Sequence, residues 1–418
     1  MAHLVMCVYT AFYLGRIHEL FEVLRPLRLV LLFGVLGVVL ALALPPDRRN
    51  RVLRQPEVRL VLGMTAIAVL FAPFSAWPGG TWSFLLDTYS RAIIFLLLVV
   101  ALATSTRVVK SLVWSVLVGI ALLGLFTITG GSEKLYAGRA FASTTYDPND
   151  VAMMMVCTLP LAVFAGLALH GVRRVLAFGV ACICVLATIM TMSRGGFIGL
   201  VFVSVVLLFR LGRASLAPRI LILVTVGAFL AGAAPAKYWD LMATIWSPTS
   251  GGEYVEGGIL PRIELWKRGI NLFLSDPVTG AGAGMYEVAE GLSHGGRGKW
   301  SAAHNSFIQI GTELGLAGLA LFVALLALGL RNARRTIRAA GARARTQDIA
   351  WVARAVETAL YAYVVEGFAL SQAYSPMLYF LLGISVALRL LVARRPAPAT
   401  VPARAVPAPR ALRPSLAP

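Results

Sequence analysis

Three residues carry the side chains best suited to chemistry in this sequence: Arg194, Arg262 and His304. A guanidinium group binds phosphate or carboxylate oxygens through two parallel hydrogen bonds. Histidine has the side chain whose ordinary pKa lies nearest neutrality, so it can accept a proton from a hydroxyl group. Together, the three residues could bind an anionic group and deprotonate a hydroxyl beside it.

Arg194 lies in the segment Thr191–Phe197 (Thr-Met-Ser-Arg-Gly-Gly-Phe), between two apolar runs. Gly195 and Gly196 allow a tight turn with accessible backbone N–H groups, which favours an anion site. The alternative is structural: the arginine would extend along apolar surface to reach lipid phosphates. Its position alone leaves both interpretations open.

Arg262 falls in the first turn of a helix that we predict over residues 261–274. Pro261 suits the first helical position, and Asp276-Pro277 ends the helix. Its apolar residues recur at helical spacing, so it should lie at the membrane surface or pack on a helical bundle. These residues are Ile263, Trp266, Ile270, Phe273 and Leu274.

A cation in the first turn of a helix is unfavourable because it lies at the positive end of the helix macrodipole. Arg262 would be well placed if an anion bound there, because N–H groups, dipole and guanidinium would converge on that anion. The structural alternative is a neutralising contact with Glu264, Glu253 or Glu256.

His304 opens a predicted span over residues 303–330, and Asn305, Gln309 and Thr312 follow it at helical spacing. This polar stripe indicates a polar cavity rather than lipid, so Asn305 and Gln309 are candidate substrate-binding residues. The alternative for His304 is a structural hydrogen bond at the membrane interface.

Other chemistries lack a sequence signal. Gly280–Gly284 follows a predicted surface helix rather than a strand, which argues against a dinucleotide site. The sequence has no phosphate-binding Walker A loop, no His-Glu-x-x-His and no carboxylates at metal-ligand spacing. We therefore expect no metal and no cofactor. Glu313 and Glu366 lie in apolar segments without an assignable role, and Asp87 should pair with Arg91 four residues later.

Composition decides the class of protein. Of 418 residues, 58% are apolar and only 14% are charged, with a mean hydropathy of +0.79. This excludes a soluble globular protein and a disordered chain, and predicts an all-α polytopic membrane protein. The four cysteines lie in apolar stretches and should be core residues.

Eleven spans are predicted, with residues 2–14 as a possible twelfth: about 27–44, 57–76, 83–103, 108–128, 149–169, 173–192, 195–211, 217–235, 303–330, 350–370 and 375–393.

The net charge of +19 reflects membrane topology. Basic residues concentrate in alternate loops, as expected for loops on the cytoplasmic side, so a nucleic-acid partner is not expected. The domain organisation is then a transmembrane region over 1–395, one long outer loop over 236–302 that contains the amphipathic helix, and a disordered Pro/Ala/Arg-rich cytoplasmic tail over 396–418.

Taken together, several segments resemble the O-antigen ligase and polymerase family of bacterial envelope glycosyltransferases. Each segment is short, but their order around one long outer loop is characteristic. They are Phe141–Asp150 (Phe-Ala-Ser-Thr-Thr-Tyr-Asp-Pro-Asn-Asp), Met192–Gly196, Arg262–Lys267 leading to Asp276–Gly282, and His304–Phe307 leading to Gly311–Leu316.

The resemblance implies a GT-C-like, metal-independent, inverting glycosyltransferase in the bacterial inner membrane, with its active site facing the periplasm. The donor would be a glycan on undecaprenyl diphosphate, and the acceptor of a ligase would be the lipid A-core. The family's two essential arginines correspond to Arg194 and Arg262, and its essential histidine to His304. Polymerases, which extend another lipid-linked repeat, and protein-glycosylating relatives stay open as alternatives.

A transporter of lipid-linked sugars is the alternative from another class. It would need polar residues through the full membrane depth. The candidate residues of this sequence cluster at one face, and no internal repeat is visible, so transfer is favoured.

Topology gives a first prediction. Residues 331–349 hold six arginines, whereas 236–302 balances its basic residues with acidic ones, so the former should be cytoplasmic and the latter periplasmic. Alkaline phosphatase fused at Gly257 should be active, and the same enzyme fused at Gly341 should be inactive. Activity at Gly341 alone would invert the topology and remove the candidate site from the outer face.

Overall fold

The computed structural model describes residues 2–130, 135–136, 139–210, 236–245, 249–250, 253–254, 259–297, 300–341 and 347–393, with single positions between 220 and 234. The predicted span at 217–235 lies largely outside the described residues, and the predicted tail at 396–418 lies entirely outside them.

The described residues form seventeen α-helices and two short hairpins. The helices are α1 (Ala2–Gly15), α2 (Ile17–Leu20), α3 (Leu29–Leu42), α4 (Pro46–Leu53), α5 (Pro56–Phe71), α6 (Pro78–Phe84), α7 (Ser90–Leu102), α8 (Thr106–Thr129), α9 (Pro148–Ala168), α10 (Gly171–Met190), α11 (Arg194–Arg210), α12 (Ala236–Ala243), α13 (Ile259–Ser275), α14 (Tyr286–Ser293), α15 (Ser306–Gly341), α16 (Gln347–Gly367) and α17 (Pro376–Ala393). The antiparallel hairpins pair β1 (Leu135–Tyr136) with β2 (Arg139–Ala140) and β3 (Thr249–Ser250) with β4 (Glu253–Tyr254).

The predicted fold class is confirmed: the chain is an all-α, multi-pass membrane protein. Among the described residues, eight helical segments are long and apolar enough to cross a bilayer. The predicted spans at 2–14, 195–211 and 350–370 fall outside this group. Helix α1 has 14 residues and α11 has 17, while α16 carries four charged residues, Asp348, Arg354, Glu357 and Glu366. The count of eleven or twelve spans stays a prediction.

Helix α9 forms the centre of the bundle. In its most apolar stretch 89% of the residues are buried, against 11% for the segment Glu22–Leu42 at the periphery. Small residues let helices approach closely, as is usual where lipid replaces water. A Cβ added to Gly15 would lie 2.5 Å from the backbone of Gly119, so α1 and α8 cross almost backbone to backbone.

The Asp87–Arg91 pair follows the sequence prediction, and the cysteines follow it in part. All four cysteines are free thiols, but only Cys157 and Cys184 are buried, whereas Cys7 and Cys182 are half-buried. Asp87 accepts a hydrogen bond from Arg91 one helical turn later. The segment between α6 and α7 that carries Asp87 is a π-helical turn, Leu85–Tyr89.

Helix α15 differs from the predicted span at both ends. It begins at Ser306 rather than 303, and it runs to Gly341, past the predicted end at 330. Its extension is arginine-rich, and arginine is a good helix former although hydropathy does not register it. Within the helix, Gly315 has a left-handed backbone (φ 65°) that breaks the regular hydrogen bonding.

The glycine-rich loop before α14 provides hydrogen-bond partners for the backbone groups at this break. The backbone N–H groups of Ala281 and Gly282 donate to the carbonyls of Thr312 (2.7 Å) and Glu313 (3.0 Å), and Leu316 N donates to Pro277 O (2.8 Å). Buried backbone polar groups need such partners. The segments Asp276–Gly282 and Gly311–Leu316, which carry the family resemblance, therefore form one structural joint.

The predicted surface helix corresponds to α13, which begins at Ile259, so Pro261 is its third residue rather than its first. Gly269 faces α15, where its carbonyl accepts a hydrogen bond from Thr312 Oγ1 (3.0 Å). Ile263, Ile270 and Leu274 are exposed. The helix therefore packs on the bundle with one face and leaves part of its apolar stripe uncovered by protein.

The joint gives a second prediction. Gly282 has φ +98°, and a Cβ added there would overlap Ser75. Gly282→Ala should therefore destabilise the protein by about 1–3 kcal/mol through strain and overpacking. Gly179→Ala is the matched control, because no atom lies within 4 Å of the added Cβ at that helical site. Thermal unfolding in detergent would test this, and equal midpoints for both variants would contradict it.

Candidate active site

The N-termini of α9 and α11 lie against each other. Asp147 caps α9, accepting hydrogen bonds from Asn149 N (2.7 Å) and Asp150 N (2.8 Å). Ser193 caps α11, its Oγ accepting from Gly196 N (3.2 Å). Ser193 Oγ also donates to Asn149 Oδ1 (2.9 Å), which joins the two caps. Two positive helix ends therefore face one place.

Arg194 is the first residue of α11 and is half-buried. Its Nε donates to the carbonyl of Leu241 in α12 (3.3 Å). Burial lowers its pKa, and the positive charges of Arg262 and Arg139 lower it further. Arg194 thus belongs to a cluster of cations that would attract an anion.

Arg262 stands in the first turn of α13, as predicted. Burial lowers its pKa, and the carboxylates of Glu366 and Asp147 act in the opposite direction. Glu264 pairs with Lys267 instead (3.6 Å), and the side chains of Glu253 and Glu256 lie outside the described residues. Within the described part of the chain, the counter-charges of Arg262 are therefore Glu366 and the cap of α9.

Glu366 was not assigned a role from the sequence, and the structure places it beside this cluster. It is 1% exposed, and neither carboxylate oxygen has a hydrogen-bond partner among the described residues. A Cβ added to Gly199 of α11 would overlap Glu366 Oε1, so the glycine provides the space for the carboxylate. Burial makes the charged form of this carboxyl group costly, and the nearby positive charge of Arg262 offsets only part of that cost.

Arg139 is a second residue that the sequence reasoning missed. Its Nη2 donates to Asn149 Oδ1 (2.6 Å) and its Nε donates to the carbonyl of Thr191 (3.0 Å). One amide oxygen of Asn149 therefore holds both Arg139 and the cap of α11. Its sequence signal is its position in a loop on the predicted outer side, where the distribution of basic residues makes an arginine less expected.

The segment that carries Asn149 is held by Glu19 from the N-terminal part of the chain. The Glu19 carboxylate accepts hydrogen bonds from Ser143 Oγ (2.5 Å), Thr144 N (3.0 Å), Thr145 N (3.0 Å) and Thr145 Oγ1 (2.6 Å). Burial alone would raise the pKa of Glu19, but hydrogen bonds from Ser143 and Thr145 and the charge of Arg16 lower it to about 2.

His304 precedes α15 instead of lying in it, in a left-handed backbone conformation (φ 46°). Four non-glycine residues of the described chain have positive φ, and three belong to this region: Arg16, Met192 and His304. Such strain concentrates at functional sites. Met192 lies two residues before Arg194 and His304 is itself a candidate residue, so both candidate segments contain a left-handed residue.

A chain of hydrogen bonds connects the histidine segment to the arginine cluster. Ser306 Oγ donates to Leu370 O (2.7 Å) and accepts from Gln372 N (2.9 Å). Gln372 Nε2 donates to Asp150 Oδ1 (2.6 Å), in the first turn of α9. The structure thus brings Arg194, Arg262 and His304 to one end of the bundle.

The structure gives the two other candidate residues structural partners. Asn305 Oδ1 caps α15, accepting from Phe307 N (2.9 Å) and Ile308 N (3.1 Å). Gln309 Nε2 donates to Glu313 Oε1 (3.4 Å), and the buried Glu313 also accepts from Tyr374 OH (2.7 Å). Their substrate-binding role stays a prediction.

No group of three or more His, Cys, Asp or Glu side chains in the described ranges could hold a metal ion. This end of the bundle combines the positive charges of Arg139, Arg194 and Arg262 with His304 and the N-termini of α9, α11 and α13. Such an arrangement can bind a polyanion and place a base beside it.

The model of the O-antigen ligase family matches residues 178–323. This segment contains Arg194, Arg262 and His304, so the resemblance predicted from the sequence is confirmed over it. Arg139, Asn149 and Glu366 lie outside the matched segment. A search of curated proteins finds no match.

Glu19 gives a third prediction. Its pKa is about 2, below the ordinary 4.5, so its stabilisation should be present above pH 4.5 and be lost as pH falls through 2. Glu19→Gln should lower stability at pH 7 by about 1–3 kcal/mol and flatten the stability profile between those pH values. Glu22→Gln, at a nearby exposed position, is the control. If the free energy of unfolding depended on pH identically in the two variants, the stabilising role of the Glu19 hydrogen bonds would be contradicted.

Proposed function

We propose that this protein transfers a glycan from undecaprenyl diphosphate to an acceptor hydroxyl, because residues 178–323 match the model of the O-antigen ligase family. The match supports ligase-type or polymerase-type activity. The reaction would take place at the periplasmic face of the bacterial inner membrane, where the charge pattern predicts the long loop to lie.

The arginine cluster is the observation that carries this proposal. The positive charges of Arg194 and Arg262 repel each other, and each residue lies in the first turn of a helix. Both features are favourable around a bound diphosphate, which attracts guanidinium groups and positive helix ends alike. In the mechanism, Arg194 and Arg262 bind the diphosphate and stabilise the negative charge that develops on it as it leaves.

His304 would act on the acceptor. The acceptor oxygen attacks the anomeric carbon, its proton passes to the imidazole, and the bond between the anomeric carbon and the phosphate oxygen breaks with its electron pair on the diphosphate. Attack from the face opposite the leaving group inverts the configuration. Diphosphate is a good leaving group, so the reaction needs no nucleotide hydrolysis.

A transporter is less well supported. At the end of the bundle opposite the candidate site, two buried glutamates of the described residues form ion pairs with arginines. Glu57 pairs with Arg389 (3.1 Å), and Glu357 pairs with Arg210 (2.8 Å) and Arg334 (3.0 Å). Closed ion pairs of this kind favour a one-sided site over a polar path through the bundle.

The acceptor separates the candidate enzymes, and we propose the lipid A-core, which makes the protein a ligase. A clean deletion followed by lipopolysaccharide electrophoresis should remove every O-antigen band while polymer accumulates on its lipid carrier. A core that retains a single repeat would instead indicate a polymerase, and an unchanged pattern with an unglycosylated protein would indicate a protein glycosyltransferase.

The assigned roles give a further prediction. Arg194→Ala and Arg262→Ala should each weaken binding of the lipid-linked donor by about 1–3 kcal/mol, and Arg262→Lys should also impair it because lysine lacks the planar fork. His304→Ala should bind the donor normally and lose turnover by about 10²–10⁴-fold. Arg174→Ala, an exposed arginine of α10, is the control.

Donor binding and single-turnover transfer by the purified proteins would measure this. Tight donor binding by both arginine variants, together with weak binding by His304→Ala, would reverse the assignment.

A further inference from the structure

A groove lies at the end of the bundle opposite the candidate active site, where α4, α7 and α17 meet. It is lined by residues of α4, by the last turn of α7 with the two residues that follow it, and by the last turns of α17. Helices α7 and α17 end two segments that are long and apolar enough to cross a bilayer, Pro78–Leu102 and Pro376–Ala393. The groove therefore lies where the hydrocarbon of a bilayer gives way to the lipid headgroups.

The lining combines apolar side chains with exposed positive charge. Arg48 and Arg51 are exposed and lie three residues apart on α4, so they share one face of that helix. Thr104 adds a hydroxyl group. The apolar side chains come from all three helices and pack on the hydrophobic core: Val52, Val100, Ala101, Ala387, Leu390 and Leu391. Such a lining fits a ligand with an apolar part and an anionic head.

The described structure supplies no counter-charge to the two arginines. No ion pair or side-chain hydrogen bond within the described ranges involves either guanidinium. Asp47 belongs to α4 but not to the groove lining, and Glu57 pairs with Arg389 (3.1 Å). The sequence after α17, residues 394–418, has five arginines and no acidic side chain. An anionic ligand would therefore be attracted to the groove.

Membrane topology explains only part of this arrangement. It requires basic residues on one side of the bilayer but does not decide which face of a helix carries them. Arg48 and Arg51 line the groove. Arg49 instead donates from Nη1 to the carbonyl of Leu42 (3.4 Å), and Arg54 follows α4 outside the groove lining. Two arginines of this segment are thus placed at the groove and two are not.

The groove is too shallow to enclose a soluble ligand. Its cavity volume is about 30 Å³, whereas sites for soluble small molecules enclose roughly 300–1,000 Å³. An occupant must therefore lie along the surface with its apolar part against the helices, as a lipid chain does. The chain's own tail fits less well, because its arginines would be repelled by Arg48 and Arg51.

We infer that this groove binds an anionic phospholipid of the adjacent leaflet. Arg48 and Arg51 hold its phosphate through charge-assisted hydrogen bonds, and an acyl chain lies along Val52, Leu390 and Leu391. Basic pockets between transmembrane helices recognise anionic headgroups in this way. The charge pattern predicts that this leaflet is the cytoplasmic one. The site shares no residue with the proposed reaction, so its test is independent of that function.

The test uses phosphatidylglycerol and phosphatidylcholine as probes, added to delipidated full-length protein in a neutral detergent, with bound lipid counted by native mass spectrometry. The wild type should bind phosphatidylglycerol about tenfold or more tightly than phosphatidylcholine. Arg48→Gln with Arg51→Gln should remove most of this preference and leave the unfolding midpoint unchanged. Arg49→Gln with Arg54→Gln removes the same charge from the same segment; this matched control should keep the preference.

An equal loss of preference in the two double variants would indicate general attraction to a basic surface and would overturn the inference, as would a wild type without any preference. A phosphatidylglycerol with a photoreactive group on its acyl chain tests the position of the site without a substitution. In the wild type it should label the peptide of α17 that contains Leu390 and Leu391. Labelling confined to other helices, as expected if the chain's own tail filled the groove, would also overturn the inference.

Discussion

Repulsion among arginines at one end of the bundle is the constraint on which the rest of the site depends. Partly buried guanidinium groups repel one another, so the surrounding structure must hold them in place. The joined caps of α9 and α11 supply part of this support through Asn149 and Ser193, and the carboxyl groups of Asp147 and Glu366 act on Arg262. The fold therefore holds several positive charges close together at one end of the bundle.

Much of the neighbouring structure serves to keep that end rigid. Glu19 holds the segment before α9 through several hydrogen bonds to Ser143–Thr145. The glycine-rich loop satisfies the carbonyls that the break at Gly315 would leave unpaired. Both sets of hydrogen bonds lie where irregular backbone packs against the end of the helical bundle. Unpaired polar groups are costly in such a place. These hydrogen bonds explain why short polar and glycine-rich segments, rather than apolar ones, carry the family resemblance.

The sequence predicted those features that depend on local pattern. Most spans were placed to within a few residues because length and hydropathy are sufficient for them. The end of α15 was predicted too early because hydropathy does not register an arginine-rich helix, whereas its start at Ser306, set by the cap at Asn305, lies within three residues of the prediction. Arg194, Arg262 and His304 were found because each is unusual at its own position.

The missed residues depend on contacts distant in sequence. Glu19 bonds a segment 124 residues away, and Glu366 matters only because Gly199 leaves space for it. Arg139 lies just outside the Phe141–Asp150 motif, and its neighbour Arg194 is far along the chain. No periodicity or local motif reports such pairs, so their importance appears only once the helices are assembled.

The central claim is that this cluster binds the donor's diphosphate. The most direct measurement is a structure of the full-length protein with undecaprenyl diphosphate in a lipid nanodisc. The account predicts both phosphates within hydrogen-bond distance of Arg194 and Arg262, with the prenyl chain leaving the site toward the bilayer. Phosphates bound elsewhere on the protein, with the two arginines still separated from any anion, would contradict it.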